Sequence, residues 1–86
     1  MQEAGDDMSD YEMVKDNLDG FHGQACLIKH KGGYFVVSSV VAYSGFETLV
    51  FKANKDGEVS SWCDVAGGRG MDRQNAINDL IYSKKV

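Results

Sequence analysis

Three residues combine side chains that bind metals with an even four-residue spacing: His22, Cys26 and His30. Such spacing can suit a metal site on a helix, but the residues around them predict a strand over 24–30. At about 3.3 Å per residue, positions four apart in a strand are separated by about 13 Å. Zinc ligands lie within about 2.0–2.3 Å of the ion. We therefore expect no metal site, with His22 solvated and His30 at a strand end.

Nucleophilic catalysis would need a cysteine or hydroxyl activated by a neighbouring base. Cys26 and Cys63 are the two cysteines that could pair with a histidine, and nothing in the sequence marks either as activated. Both lie in predicted strands, so we interpret them as buried, reduced thiols. A disulfide between neighbouring strands stays open, although it would be unusual in a reducing compartment. We predict a protein that is not an enzyme and holds no cofactor.

A glycine-rich segment, Gly-Gly-Arg-Gly at 67–70, precedes a predicted helix and resembles a phosphate-binding loop in outline. It lacks the GxxxxGK[ST] pattern and does not follow a parallel strand. Asp72 also adds a negative charge there. We interpret the segment as a flexible connection with Arg69 at its tip, and arginine is common at interface hot spots.

The acidic residues are concentrated at the N-terminus. Residues 1–19 carry a charge of −6 and the remainder +2, which together give the net charge of −4. This asymmetry predicts an acidic arm or helix on a nearly neutral body. It disfavours binding to a phosphate backbone and favours contact with a basic protein surface. A solvating tail would look the same. The predicted partner-contact residues are Asp6, Asp7, Asp10, Tyr11, Glu12, Asp16 and Arg69.

The aromatic residues of the predicted strands could form a stacking platform for single-stranded nucleic acid. Such platforms are normally rich in lysine and arginine, and here four lysines flank the aromatics. We therefore expect these rings mainly to pack in the core. The lysines are Lys29, Lys31, Lys52 and Lys55, and the aromatics are Tyr34, Phe35, Tyr43, Phe46, Phe51 and Trp62.

The N-terminal region predicts a short helix after a flexible acidic tail at 1–8. Ser9 and Glu12 have the spacing of a capping box. Tyr11, Val14 and Leu18 then form one apolar stripe at helical spacing, and Gly20 would end the helix.

The middle of the chain predicts four antiparallel strands at 24–30, 34–42, 46–53 and 58–64. Lys31-Gly-Gly33, Tyr43-Ser-Gly45 and Asn54-Lys-Asp-Gly57 supply the turns between them. A C-terminal helix then follows from an Asp72 N-cap to about Ser83. The prediction is one α+β domain over 1–86, in which a four-stranded meander carries an N-terminal and a C-terminal helix.

The stretch Phe46-Glu-Thr-Leu-Val-Phe51, followed by Gly57-Glu-Val and Trp62, resembles a stretch of small bacteriophage proteins of largely uncharacterised role. Such accessory proteins often bind and block host or defence proteins. The resemblance therefore implies an inhibitory role in the host cytoplasm. It carries no catalytic residue.

The leading hypothesis is a cytoplasmic protein–protein interaction module that docks on a host or defence protein through an acidic surface. No run of the sequence reaches the roughly 18 apolar residues that a membrane span needs. Two alternatives remain: a small single-stranded nucleic-acid-binding protein that uses the exposed face of the sheet, and a structural homo-oligomer, for example a homodimer, formed by pairing of edge strands.

Overall fold

The computed structural model describes residues 11–20, 23–43 and 45–82. These residues form a five-stranded antiparallel sheet with one helix, so the predicted α+β class is confirmed. The strands pair in sequence order, as a meander. Their bounds are Glu12–Lys15 for β1, Gln24–His30 for β2, Gly33–Ala42 for β3, Gly45–Ala53 for β4 and Ala66–Arg69 for β5, and α1 spans Arg73–Tyr82.

Tight turns set the register of the three long strands. His30 pairs with Gly33 across a two-residue turn in which both Lys31 and Gly32 have positive φ, 51° and 82°. After β4, the Gly57 N–H donates to the Asn54 carbonyl at 3.0 Å and Gly57 has a φ of 85°. The predicted left-handed glycine of this turn is therefore confirmed.

Both faces of the sheet bury apolar side chains, because β2 and β3 are apolar at odd and even positions alike. The face under α1 is the larger core. The opposite face is covered by the segments before β2 and after β4, which supply Leu18 and Val59. The first core contains Cys26, Ile28, Val37, Val50, Ala66, Ala76, Ile77 and Leu80, and the second contains Ala25, Leu27, Val36 and Ala53.

The predicted N-terminal helix is wrong, because residues 12–15 form the edge strand β1. Tyr11 packs on the core beneath α1, whereas Leu18 packs on the core of the opposite face. The supposed stripe of one helix is thus divided between two faces of a sheet. Pairing with β2 holds this segment in place, whereas a helix this short is marginal on its own. Ser9 lies outside the described residues.

The predicted fourth strand at 58–64 is also wrong. Within that segment only Val59 forms a bridge, to Ala53. The strand that completes the sheet is β5, in the place where we expected a flexible connection. The Gly67 N–H donates to Asp79 Oδ2 at 2.9 Å, so a carboxylate of α1 holds β5 in place.

The cysteines differ in environment. Both are unpaired thiols; Cys26 is buried as expected, but Cys63 is exposed because its segment is not a strand. Within the described part of the chain, no three His, Cys, Asp or Glu side chains group in a way that could hold a metal ion. His30 ends β2 as predicted, and His22 lies outside the described residues. The helix α1 is neither long nor apolar enough to cross a membrane.

Candidate partner-binding surface

The part of the β3–β4 hairpin nearest its turn exposes apolar side chains that belong to neither core. We call its described residues, 40–43 and 45–49, the hairpin end. On the side of α1, Val41 is 83% exposed and its cross-strand neighbour Phe46 is 40% exposed. On the opposite side, Val40 and Leu49 are half-buried. Tyr43, which lies in the turn itself, is fully exposed.

A groove runs beside the hairpin end, where α1 begins. It has a volume of about 550 Å³ and adjoins a second depression of about 420 Å³. Gln24, Ser39 and Phe46 line both, so the two form one continuous groove. The remaining lining residues are Asp16, Asn17, Asp72 and Arg73 on one side and Gly23, Val40 and Val41 on the other.

Close backbone contact forms the wall of the groove between β2 and β3. A Cβ atom added to Gly23 would overlap the Ser39 carbonyl oxygen, so only glycine lets the chain approach here. The Ser39 and Thr48 hydroxyls lie 2.8 Å apart and satisfy one another, although Thr48 is fully buried. The wall is therefore polar. The partner of the Ser39 hydroxyl is the Thr48 hydroxyl, which cannot act as the base that a nucleophilic serine needs.

An exposed ion pair closes the groove at its other side. Arg73 Nη1 lies 3.0 Å from Asp16 Oδ1. Burial raises the pKa of the Cys26 thiol, and the nearby Arg73 guanidinium partly offsets this effect. Asp72 Oδ1 accepts the Asn75 N–H at 2.8 Å, which confirms Asp72 as the predicted N-cap of α1. The carboxylates in this groove are thus already engaged within the chain.

The predicted contact residues of the N-terminal region serve mainly to attach β1. The Tyr11 hydroxyl donates to Gln74 Oε1 at 3.4 Å, and Asp16 bonds to Arg73. Glu12 lies opposite Lys29 in the register of β1 and β2. Asp6, Asp7 and Asp10 lie outside the described residues, so their role stays a prediction.

We predicted that Arg69 lies at the tip of a loop, but it is exposed at the end of β5. It lies opposite Glu47 of β4, and Glu47 in turn lies opposite Val40. The structure therefore places Arg69 beside the hairpin end, and Asp16 borders the same groove as Phe46. It does not bring Tyr11 or Glu12 to this surface.

Sequence reasoning missed the hairpin end because it assigned the aromatics to the core. That assignment is correct for buried Phe51 but wrong for Tyr43 and Phe46, and Trp62 is largely exposed with its ring 5.1 Å from that of Phe51. One signal was present. The apolar run of β3 continues to the last residue of the strand, and the turn that follows begins with an aromatic residue, Tyr43.

Comparisons with protein-family models, with curated proteins and with solved structures give no significant match to this chain. The resemblance to small bacteriophage proteins therefore stays a prediction, and the case for function rests on the geometry of the surface itself.

Proposed function

We propose that the chain is a non-enzymatic protein-binding module that docks its hairpin end on a partner protein. The observation that carries this proposal is that the hairpin end exposes three apolar side chains, Val41, Tyr43 and Phe46, that neither core includes. Large exposed apolar patches mark interaction sites more often than chance exposure, whereas single exposed side chains do not. Tyr43 adds a large ring with little rotamer freedom to lose, which suits an interface anchor.

The size of the surface requires the groove to take part. Removing a valine or phenylalanine side chain fully from water contributes about 1.5–3 kcal/mol. Association costs about 4–15 kcal/mol in lost translational and rotational freedom. Val40 and Leu49 are already half-buried, so burial of the hairpin end alone would contribute little free energy beyond the cost of association. The partner must therefore also fill the groove beside Phe46.

Charge favours a different protein over a second copy of this chain as the occupant. Each copy carries a net charge of −4, so two copies repel, whereas a partner with a basic surface is attracted. Asp6, Asp7 and Asp10 are the proposed steering residues. Asp16 contributes less to steering, because Arg73 already neutralises it. In this proposal the partner presents an apolar side chain within a basic rim, and blocking that surface inhibits the partner.

Two features argue against the alternative functions. Tyr43 and Phe46 lie at one end of the β3–β4 hairpin, whereas Lys29, Lys31 and Lys52 lie at the other. Tyr34 and Phe35 share the lysine end, but both are half-buried and they pack on opposite cores, so they do not offer one row of exposed rings to a single strand of nucleic acid. Pairing of edge strands is also disfavoured, because β1 is short, charged and irregular in register, and Asp79 binds the backbone of β5.

The experiment compares three forms of the full chain as affinity baits in a lysate of the cells that naturally produce it. The hairpin variant carries Val41→Ser, Tyr43→Ser and Phe46→Ser. The matched control carries Val14→Ser and Tyr82→Ser, which remove exposed apolar groups elsewhere. We expect the wild type and the control to retain one protein that the hairpin variant does not retain. Added salt should elute this protein.

Two outcomes would contradict the proposal. The first is a retained protein that binds all three forms alike. The second is self-association of the wild type in a sedimentation measurement that the hairpin variant abolishes, because the occupant would then be a second copy. A further variant with Asp6→Lys, Asp7→Lys and Asp10→Lys separates steering from docking: it should slow association and reduce its salt dependence.

A further inference from the structure

A separate pocket lies at the opposite end of the molecule, between the last turn of α1 and the β2–β3 turn. Its volume is about 250 Å³. Phe35, Leu80 and Ile81 supply apolar walls, and Lys31 and Lys52 supply two ammonium groups. His30 and Gly33 complete the lining. The pocket shares no lining residue with the groove beside the hairpin end.

The charge of this pocket is positive and unbalanced by its own walls. None of the described residues that line it is acidic. Two cations above apolar walls complement a ligand that has an anionic group and an apolar body.

The backbone of Lys31 places its side chain at this pocket. Lys31 is the only residue other than glycine that has a positive φ in the described part of the chain. Two-residue turns of this kind strongly favour Asn, Asp or Gly at that position. Glycine would adopt this conformation at lower cost than lysine. The turn holds the base of the Lys31 side chain at the rim of the pocket.

We propose that this pocket binds a small amphipathic anion, in which a phosphate or carboxylate group is joined to an apolar ring. Lys31 and Lys52 bind the anionic group, and the ring packs between Phe35 and the side chains of Leu80 and Ile81. Pockets for drug-sized ligands measure about 300–1,000 Å³, so this smaller pocket fits a single ring with its anionic group. The site is distinct from the proposed protein-docking surface.

The test is a titration of the full chain with phenyl phosphate, followed by amide NMR shifts at about 0.15 M ionic strength. We expect saturable shifts at Gly33, Phe35 and Ile81, with a dissociation constant of about 1 mM, as is usual for a ligand of this size. Inorganic phosphate, which lacks the ring, should bind more weakly. Benzyl alcohol, which lacks the charge, should cause no saturable shift.

Substitutions in the turn separate binding from folding. Lys31→Gly places in the turn a residue that adopts a positive φ more readily, so the variant should unfold at a higher temperature. It also removes the ammonium group, so it should bind phenyl phosphate about fivefold more weakly, which is the effect of one exposed ion pair. Lys52→Gln should weaken binding by a similar factor. Lys55→Gln is the matched control, because Lys55 lies in the turn after β4 and does not line the pocket.

Three results would overturn the proposal. One is unchanged affinity of Lys31→Gly for phenyl phosphate. Another is an equal loss of affinity in Lys55→Gln, because general attraction to lysines would then explain binding. The third is equal affinity for inorganic phosphate and phenyl phosphate, since the apolar walls would then contribute nothing.

Discussion

At the scale of single residues, the two neighbouring glycines of β5 have different roles. Gly67 has a φ of 97°, and an added Cβ atom would overlap the Thr48 carbonyl oxygen. Gly68 has open space at the same position. Only the first glycine is required for the backbone of β5 to lie against β4, and its N–H is the group that Asp79 binds.

We predict that Gly67→Ala lowers the free energy of unfolding by about 3 kcal/mol, since a left-handed alanine and a clash each cost about 1–2 kcal/mol. Gly68→Ala should change it by less than about 0.5 kcal/mol. Urea unfolding of the two variants provides the measurement. Equal losses would mean that steric contact with Thr48 does not explain the glycine at position 67.

At the scale of elements, β1 is the least anchored strand. All four of its residues are exposed, and its register with β2 shifts between Met13 and Lys15. Its attachments are the packing of Tyr11 and Leu18 and the ion pair of Asp16 with Arg73. That pair is 75% exposed at Asp16 and 49% at Arg73, so solvent screens it strongly.

Asp16→Asn should therefore loosen β1 without unfolding the molecule. We expect faster hydrogen exchange at the amides of residues 12–15, unchanged exchange in β3, and a global loss of less than about 1 kcal/mol. Asp19→Asn, which removes the same charge from the neighbouring exposed acid, should leave exchange in β1 unaltered. If β3 exchanged faster as well, Asp16 would be part of the global fold rather than of a local attachment.

The elements that could be predicted are those whose signals are local. The bounds of β2 agree with the prediction, and β3, β4 and α1 lie close to theirs, because turn chemistry at Lys31–Gly33 and Asn54–Gly57 and the Asp72 cap act within a few residues. The confirmed Gly57 conformation is an example. These signals do not depend on what the rest of the chain does.

The elements that could not be predicted depend on distant partners. β5 has the sequence Ala-Gly-Gly-Arg, which has low strand propensity and no apolar alternation. It is a strand because β4 and Asp79 bind its backbone. β1 likewise had a plausible local helix signal, and pairing with β2 overrode it. The candidate surface was missed for the same reason, since only the tertiary structure shows where the cores end.

At the scale of the whole molecule, one short helix packs across a long hairpin, and a different cavity lies at each end of that hairpin. The end near Tyr43 is apolar and adjoins the groove of Asp16 and Arg73. The end near Lys31 is basic and adjoins the smaller pocket. The sheet therefore presents two chemically different surfaces on one scaffold, and a protein partner and a small anion could occupy them at the same time.

At alkaline pH, the free energy of unfolding of the whole molecule should depend on the ionisation of the Cys26 thiol. Burial raises the pKa of this thiol above its ordinary value, so the folded chain keeps the proton that the unfolded chain has begun to lose. The free energy of unfolding is therefore unaffected by this group below its unfolded pKa, and it falls as pH rises from there toward the folded pKa.

We predict that Cys26→Ala is less stable than the wild type at neutral pH, because it leaves a cavity, and that this difference shrinks at about pH 10. Urea unfolding at both pH values measures it, and Cys63→Ser, at an exposed thiol, should show no such change. A constant difference would mean that Cys26 ionises alike in both states.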